Sequence, residues 1–281
     1  MQRYNYMVAD VFTDTPLQGN PVAVFLDATG LSTERMQLIA NEMHLSETVF
    51  VFPPSGDCDV HVRIFTPVNE LPFAGHPTLG AAIALGESWA GDRIRMQTAM
   101  GLVPFDLERD TKGSVRAARM QQPIPTWEPY DRAEDLLAAL GLANSSVPVL
   151  VYNNGPRHVF IGLESEYALT KLRPDHRRLG ELPDMAANCF AGYGASWRLR
   201  MFSPAYGVVE DAGTGSAAGS LAVHLARFGL APFGQEIEIV QGVEIGRPST
   251  MRATAIGTGN QIEGVEVAGS AVIVIRGTLD V

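Results

Sequence analysis

Two glycine-opened, almost wholly apolar helical stretches stand in matched places in the two halves of this chain, and they constrain its fold more than any other feature. In the first half, G-N-P-V-A-V-F from Gly19 is followed by G-H-P-T-L-G from Gly75, 56 residues on. In the second half, G-P-R-H-V-F from Gly155 is followed by G-T-G-S-A-A-G from Gly213, 58 residues on. A turn-and-strand signal and then a glycine-opened helix, repeated at nearly equal spacing, points to an internal duplication. The helical stretches themselves, read over 77–89 and 214–228, are apolar on every side. A helix apolar all round is buried all round. Each half is therefore predicted to wrap a central helix in strands.

The surrounding sequence supplies those strands. Short runs rich in β-branched and aromatic residues fall at 6–12, 21–26, 48–52, 60–65, 93–96 and 102–107. A second set falls at 149–152, 158–163, 199–202, 236–240, 251–256, 264–267 and 271–276. Gly, Pro, Asp and Asn separate them. A further helix is predicted over 32–43, with Ser32 as its cap and apolar residues at Met36, Ile39 and Met43. The Pro-rich stretch Q-Q-P-I-P-T-W-E-P-Y at 121–130 reads as the linker between halves. At 281 residues the chain suits two domains better than one core.

Composition then excludes several functions. Hydrophobic residues make up 46% and charged residues 19%, the balance of a globular protein. A formal net charge of -10 argues against nucleic acid or an anionic membrane as a partner. Cys58 and Cys189 are far apart and lack CxxC partners, so neither a zinc site nor a disulfide framework is suggested. No apolar run approaches the roughly 18 residues of a membrane span, and the first residues lack a signal-peptide pattern. A cytoplasmic protein is expected.

The two helix starts are the natural place for chemistry. The first N–H groups of a helix have no partner within it and carry partial positive charge. Gly lets a ligand approach that backbone closely. Gly75-His76-Pro77 and Gly213-Thr214-Gly215-Ser216 are thus each able to cradle a carboxylate or an enolate. In a duplicated fold the two would face one another across a cleft. The second loop is not a dinucleotide fingerprint, since its glycines fall at 213, 215 and 219. It lacks the lysine of a phosphate loop. Nor is it a nucleophile elbow, because Thr214 and Ala218 stand where glycines are needed around Ser216. No cofactor is expected.

Three ionisable side chains accompany these loops. Glu47 lies in H-L-S-E-T-V-F at the mouth of an apolar strand, where desolvation by Leu45, Val49 and Phe50 would raise its pKa and suit it to carrying a proton. The alternative is an exposed loop glutamate. His76, at a helix start, is disfavoured as a cation by the helix dipole. The alternative is a surface cap. Asp211, in V-V-E-D-A-G-T-G-S, reads either as a site carboxylate or as an ordinary N-cap. The other histidines, at 44, 61, 158, 176 and 224, show no metal-ligand spacing, and His224 in the apolar helix reads as a packed residue. No metal is expected.

Long stretches of the chain resemble the PhzF phenazine-biosynthesis family: P-L-Q-G-N-P-V-A-V-F, L-S-E-T-V-F, R-I-F-T-P-V-N-E-L-P-F-A-G-H-P-T-L-G, N-G-P-R-H-V-F and M-F-S-P-A-Y-G-V-V-E-D-A-G-T-G-S-A-A-G. The resemblance runs over nearly the whole chain. It implies an α+β fold of two pseudo-repeated diaminopimelate-epimerase-like domains, each a β-barrel-like sheet around a central helix, with the active site between them. The expected domains are 1–122, with a final strand at 269–281 returning to it, and 123–268. The epimerases place one cysteine at each helix start. Those places are Ala74 and Ala212 here, so the resemblance implies a different proton carrier. It implies Glu47 in that role, His76 and Asp211 as the other catalytic side chains, and Gly75, Gly215, Ser216 and Ser46 as substrate-binding residues. The implied reaction moves a proton from C3 to C1 of trans-2,3-dihydro-3-hydroxyanthranilate, without cofactor or metal, in a homodimer. An amino-acid racemase or epimerase of the same fold, a PhzF-like isomerase acting on another small cyclic amino acid, and a non-catalytic carboxylate-binding protein are the rival readings.

Overall fold

The computed structural model describes residues 2–281. They form two compact units, one running to Gln121 and taking in Ala268–Val281, the other Gln122–Val267. The first unit contains β1 (Arg3–Val11), β2 (Asn20–Phe25), α1 (Thr33–Met43), β3 (Glu47–Phe52), β4 (Val60–Phe65), β5 (Glu70–Leu71), α2 (Gly75–Gly86), β6 (Arg93–Thr98), β7 (Gly101–Arg109) and β8 (Val115–Gln121). The second contains β9 (Thr126–Pro129), α3 (Ala133–Leu140), β10 (Leu150–Asn153), β11 (Arg157–Gly162), α4 (Glu166–Lys171), α5 (His176–Gly180), β12 (Ala186–Tyr193), β13 (Ser196–Ser203), β14 (Val208–Asp211), α6 (Gly215–Arg227), β15 (Ile237–Gln241) and β16 (Ser249–Thr258). The last strand, β17 (Gln261–Asp280), begins in the second unit and ends in the first.

Each unit repeats one plan. In the first, β2 and β3 run parallel through α1, and β4 and β6 run parallel through α2. Antiparallel pairs β1–β2, β3–β4, β6–β7 and β7–β8 complete the sheet, β17 pairs with β1, and β8 pairs with β17, so the sheet closes. In the second unit, β11 and β12 run parallel through α4 and α5, and β13 and β15 run parallel through α6. Antiparallel pairs β9–β10, β10–β11, β12–β13 and β15–β16 flank them. The architecture is α+β, with barrel-like sheet around a central helix.

The central helices lie directly on their strands. Every residue of α2 except Leu85 is buried, and α6 is buried from Gly215 to Ala226. Glycine makes this closeness available. A Cβ on Gly80 would lie 2.6 Å from Val22 and 2.8 Å from Val11, and one on Gly219 would collide with Gln122 and come within 2.8 Å of Val265. A helical glycine weakens helix propensity by about 1 kcal/mol relative to Ala, which close packing against the sheet offsets.

A second repeat brackets each helix. Arg63-Ile64-Phe65-Thr66-Pro67 ends β4, and Arg200-Met201-Phe202-Ser203-Pro204 ends β13. In both, the arginine grips a glutamate on the short strand that leads into the helix. Arg63 contacts Glu70 at 2.7 and 2.6 Å, and Arg200 contacts Glu210 at 2.8 Å twice. Each guanidinium also lies over the phenylalanine two residues on, at 5.2 and 5.0 Å.

Several sequence expectations are corrected. The first central helix starts at Gly75 rather than 77, since proline is tolerated anywhere in the first turn, and it stops at Gly86 rather than 89. The stretch at 121–130 is not all linker: Thr126–Pro129 forms β9, paired with β10. Pro125 before it and Pro129 at its end hide a strand so short. The runs at 264–267 and 271–276 are one strand, β17, which continues through Gly269. Strands β8 and β12 and helices α3, α4 and α5 were not anticipated. In β12 the first six residues are all buried, so no alternation marks it. Helix α1 keeps its predicted cap, the Ser32 side chain accepting from the Arg35 N–H. Among the described residues, no helix is long and apolar enough to cross a membrane.

Candidate active site

In the first unit, a polar cluster gathers where β2, β3 and α2 begin. Glu47 is the first residue of β3 and sits opposite Val22 of β2 in parallel register. Ala74 is the N-cap of α2, in extended conformation with no side-chain cap bond, so Gly75 and His76 open the helix. His76 is buried, and its Nε2 lies 3.4 Å from Glu47 Oε2. Its Nδ1 is 3.3 Å from the amide nitrogen of Asn20, the first residue of β2. The Glu47 side chain is 16% exposed, withdrawn from bulk water yet reachable. Ser46 directly precedes it and is half-buried. An imidazole beside a mostly buried carboxylate can orient that carboxylate and share a proton with it.

In the second unit, the cluster lies where β14 meets α6, and it is a network of neutral donors around one carboxylate. Asp211 ends β14 and is buried. Its Oδ2 accepts from the Thr214 hydroxyl at 2.6 Å. The N-cap position of α6 belongs to Thr214, so Asp211 holds the cap residue and is not itself the cap. Gln241 completes the turn: its Oε1 accepts from the Thr214 N–H, and its Nε2 donates to the Asp211 carbonyl and the Thr214 hydroxyl. Gln122 donates to the Gly215 carbonyl at 2.9 Å and Asn154 to the Ser216 carbonyl at 3.0 Å. The Ser216 hydroxyl lies 3.0 Å from Nε2 of His158, and Asn188 lies 3.4 Å from the other ring nitrogen. Burial pushes the His158 pKa down to about 3, so the ring is neutral at working pH. The Arg200–Glu210 pair fixes β14 immediately before Asp211.

Of the residues the sequence singled out, the structure therefore gathers Ser46, Glu47, Gly75 and His76 in the first unit and Asp211, Gly215 and Ser216 in the second. Sequence reasoning missed Asn20, Asn188 and Gln241, and it set His158 aside. Asn20 and His158 both stand in the repeated turn-strand segments, G-N-P-V-A-V-F and G-P-R-H-V-F, which is the signal that could have found them. Asn188 and Gln241 carry no motif.

Neither cysteine is at a helix start. Cys58 donates to the Ser55 carbonyl at 3.2 Å, and Cys189 is wholly buried, which drives its thiol pKa well above the usual range. Ala74 and Ala212, at the places expected for cysteines, are both buried. Among the described residues, no group of three or more His, Cys, Asp and Glu is arranged to hold a metal.

This pairing of glycine loops with Glu47, His76 and Asp211 falls within a match between residues 9–277 and the family model described as phenazine biosynthesis-like protein, PhzC-PhzF. The chain belongs to the PhzF family. This PhzF-family chain is 62% identical to a Pseudomonas aeruginosa protein named trans-2,3-dihydro-3-hydroxyanthranilate isomerase, over 98% of each chain. Its fold matches a Bacillus anthracis phenazine biosynthesis protein of the PhzF family with TM-score 0.85, at 24% identity and full coverage of both chains. It also matches a hydroxyproline epimerase from Agrobacterium vitis with TM-score 0.69, at 11% identity, covering 99% of this chain and 91% of that one. The last two likenesses speak to fold alone. They place this PhzF-family chain in an architecture shared with a hydroxyproline epimerase.

Proposed function

We propose that this protein is a trans-2,3-dihydro-3-hydroxyanthranilate isomerase of phenazine biosynthesis, with Glu47 as its proton carrier. The observation that carries the reading is the Glu47–His76 contact at 3.4 Å at the mouth of a buried glycine-opened helix. The identity of 62% with an isomerase of that name supports the substrate. Glu47 takes the proton from the hydroxyl-bearing C3 and returns it at C1, and the resulting enol relaxes to the aminoketone. One carboxylate that accepts and returns the same proton suffices, so no metal or organic cofactor enters the reaction. His76 and Asp211 bind the amine and hydroxyl and fix the ring. Gly75 and Ser46 line the approach to Glu47. Gly215 and Ser216 receive the carboxylate, which the N-terminal dipole of α6 favours. The protein works as a cytoplasmic homodimer, a state that sedimentation at working concentration checks.

The reading is tested by mixing purified protein with the substrate and following the diene absorbance. Rapid loss of the diene with formation of the aminoketone is expected. An unchanged diene with intact substrate would reject the substrate assignment.

A further inference from the structure

The cluster around Ser216 has a direction, and it follows from one hydrogen bond. The amide of Asn188 donates to the Ala186 carbonyl at 2.8 Å. A carbonyl only accepts, so the amide atom there is the nitrogen and not the oxygen. The same nitrogen lies 3.4 Å from Nδ1 of His158 and has a second N–H to offer. A neutral imidazole has one donor and one acceptor nitrogen. With Nδ1 facing a donor, Nδ1 accepts and Nε2 carries the proton. Nε2 faces the Ser216 hydroxyl at 3.0 Å, so the hydroxyl oxygen accepts and its own proton remains to be given elsewhere.

The surroundings keep this arrangement in one state. His158, Asn188 and Ser216 are 1%, 0% and 3% exposed, so water does not compete for these bonds. The His158 ring lies beside Phe160, which offers no hydrogen bond to its ring nitrogens. Burial holds the ring neutral, with a pKa of about 3. The Ser216 backbone is pinned as well, by Asn154 on its carbonyl. A serine held in this way can approach an anion only as a donor. An unrestrained hydroxyl would have to give up rotational freedom on binding.

We propose that His158, set in its Nε2-protonated tautomer by Asn188, is a positioning residue that makes Ser216 an obligate hydrogen-bond donor to the carboxylate of the bound substrate. The proposal rests on the reading that Ser216 contacts that carboxylate. His158 itself touches no reacting atom. Its influence is on substrate binding, so it changes KM and leaves kcat nearly as it was.

The test has two arms. The first is the ¹⁵N NMR spectrum of the imidazole of His158 in the intact protein. A protonated Nε2 and an unprotonated Nδ1 are expected, and the reverse assignment, or a mixture, overturns the proposal without any activity measurement. The second arm is a double-mutant cycle with the substrate. Ser216→Ala should raise KM about ten- to a hundredfold, the range for a hydrogen bond to a charged group. His158→Leu should raise KM less, with kcat little changed, and His158→Gln, which can still donate, should restore most of it and also covers the case where the leucine variant fails to fold. In the Ser216→Ala background, His158→Leu should add nothing to KM. An equal rise in both backgrounds would make His158 a merely structural residue and sink the proposal alone. An unchanged KM in Ser216→Ala would instead sink the assignment of Ser216 to the substrate, and the proposal with it.

Discussion

The two units build the same scaffold and fill it with opposite chemistry. In the first, the strand pair β2–β3 sets Val22 against Glu47 in register. In the second, the corresponding pair β11–β12 sets His158 against Ala186. Aligning the two strand starts puts Ala186 in the place of Glu47 and Val22 in the place of His158. The first unit thus has a carboxylate and no buried histidine at that strand position, and the second has the histidine and no carboxylate. Both still use an asparagine amide on Nδ1 of a histidine whose Nε2 faces a side-chain oxygen: Asn20, His76 and Glu47 in one, Asn188, His158 and Ser216 in the other. Duplication supplies two buried helix starts. At one, the histidine faces a carboxylate, and at the other a hydroxyl.

The arginine brackets differ in the same way, by burial rather than by geometry. Arg63 and Glu70 are 24% and 36% exposed, whereas Arg200 and Glu210 are 6% and 9% exposed. The largest effect on stability should therefore come from Arg200→Ala, which strands a buried glutamate and frees the Leu169 and Leu172 carbonyls that Arg200 also satisfies. A loss of about 3–5 kcal/mol is expected from denaturant titration, as for other broken buried pairs. A loss below about 1 kcal/mol would erase the contrast between the brackets.

Next in size is a pH effect that belongs to the second unit. His158 and His224 are both buried there, and burial depresses each pKa to about 3, with Arg227 adding to the effect at His224. The unfolded chain protonates these rings near 6.5, while the native state resists protonation until about 3. Their contribution is therefore complete above pH 6.5 and is lost as pH falls from there toward 3, by up to about 1.4 kcal/mol per pH unit for each ring. Urea midpoints at pH 7.5, 6 and 5 should fall in that order, and less steeply in His158→Gln. Equal slopes in the two proteins would show that His158 titrates normally.

Arg63→Ala, the half-exposed counterpart of Arg200→Ala, should lose only about 0.2–1 kcal/mol. Smallest on turnover is Cys189→Ala. The thiol is wholly buried and its pKa is pushed up by that burial, so it stays protonated. A modest loss of stability with wild-type turnover is expected. A large loss of turnover in a well-folded variant would return a thiol to the mechanism.

What the sequence revealed follows the range of the forces involved. The central helices were legible because a residue buried on every side leaves an unbroken apolar run, and Glu47, His76 and Asp211 stood out as candidates because they border such runs, while their roles came from the family resemblance alone. The strand β12 was not, since six consecutive buried residues look like neither a period of two nor a helix face. His158 was visible as a letter but not as a partner. Its hydrogen bond joins residues 58 apart, and nothing local in G-P-R-H-V-F reports what the ring will meet. Asn188 and Gln241 sit in strands whose neighbours are set entirely by pairing. The R-x-F-[S/T]-P repeat was present in both halves, and only the ion pairs on β5 and β14 showed what it does.

The central claim is that the two helix starts are unequal, with the proton on Glu47 alone. The most direct test is turnover of the substrate in D₂O by the wild type and by Glu47→Gln, with the isotope at C1 of the product read by mass spectrometry, where one carboxylate returning the proton it took leaves protium from C3. The amide is nearly the size of the carboxylate but carries no proton between carbons, so a well-folded Glu47→Gln should lose about 10²–10⁴-fold in kcat and form correspondingly little product. Turnover near the wild-type rate, with the same labelling at C1, would contradict it.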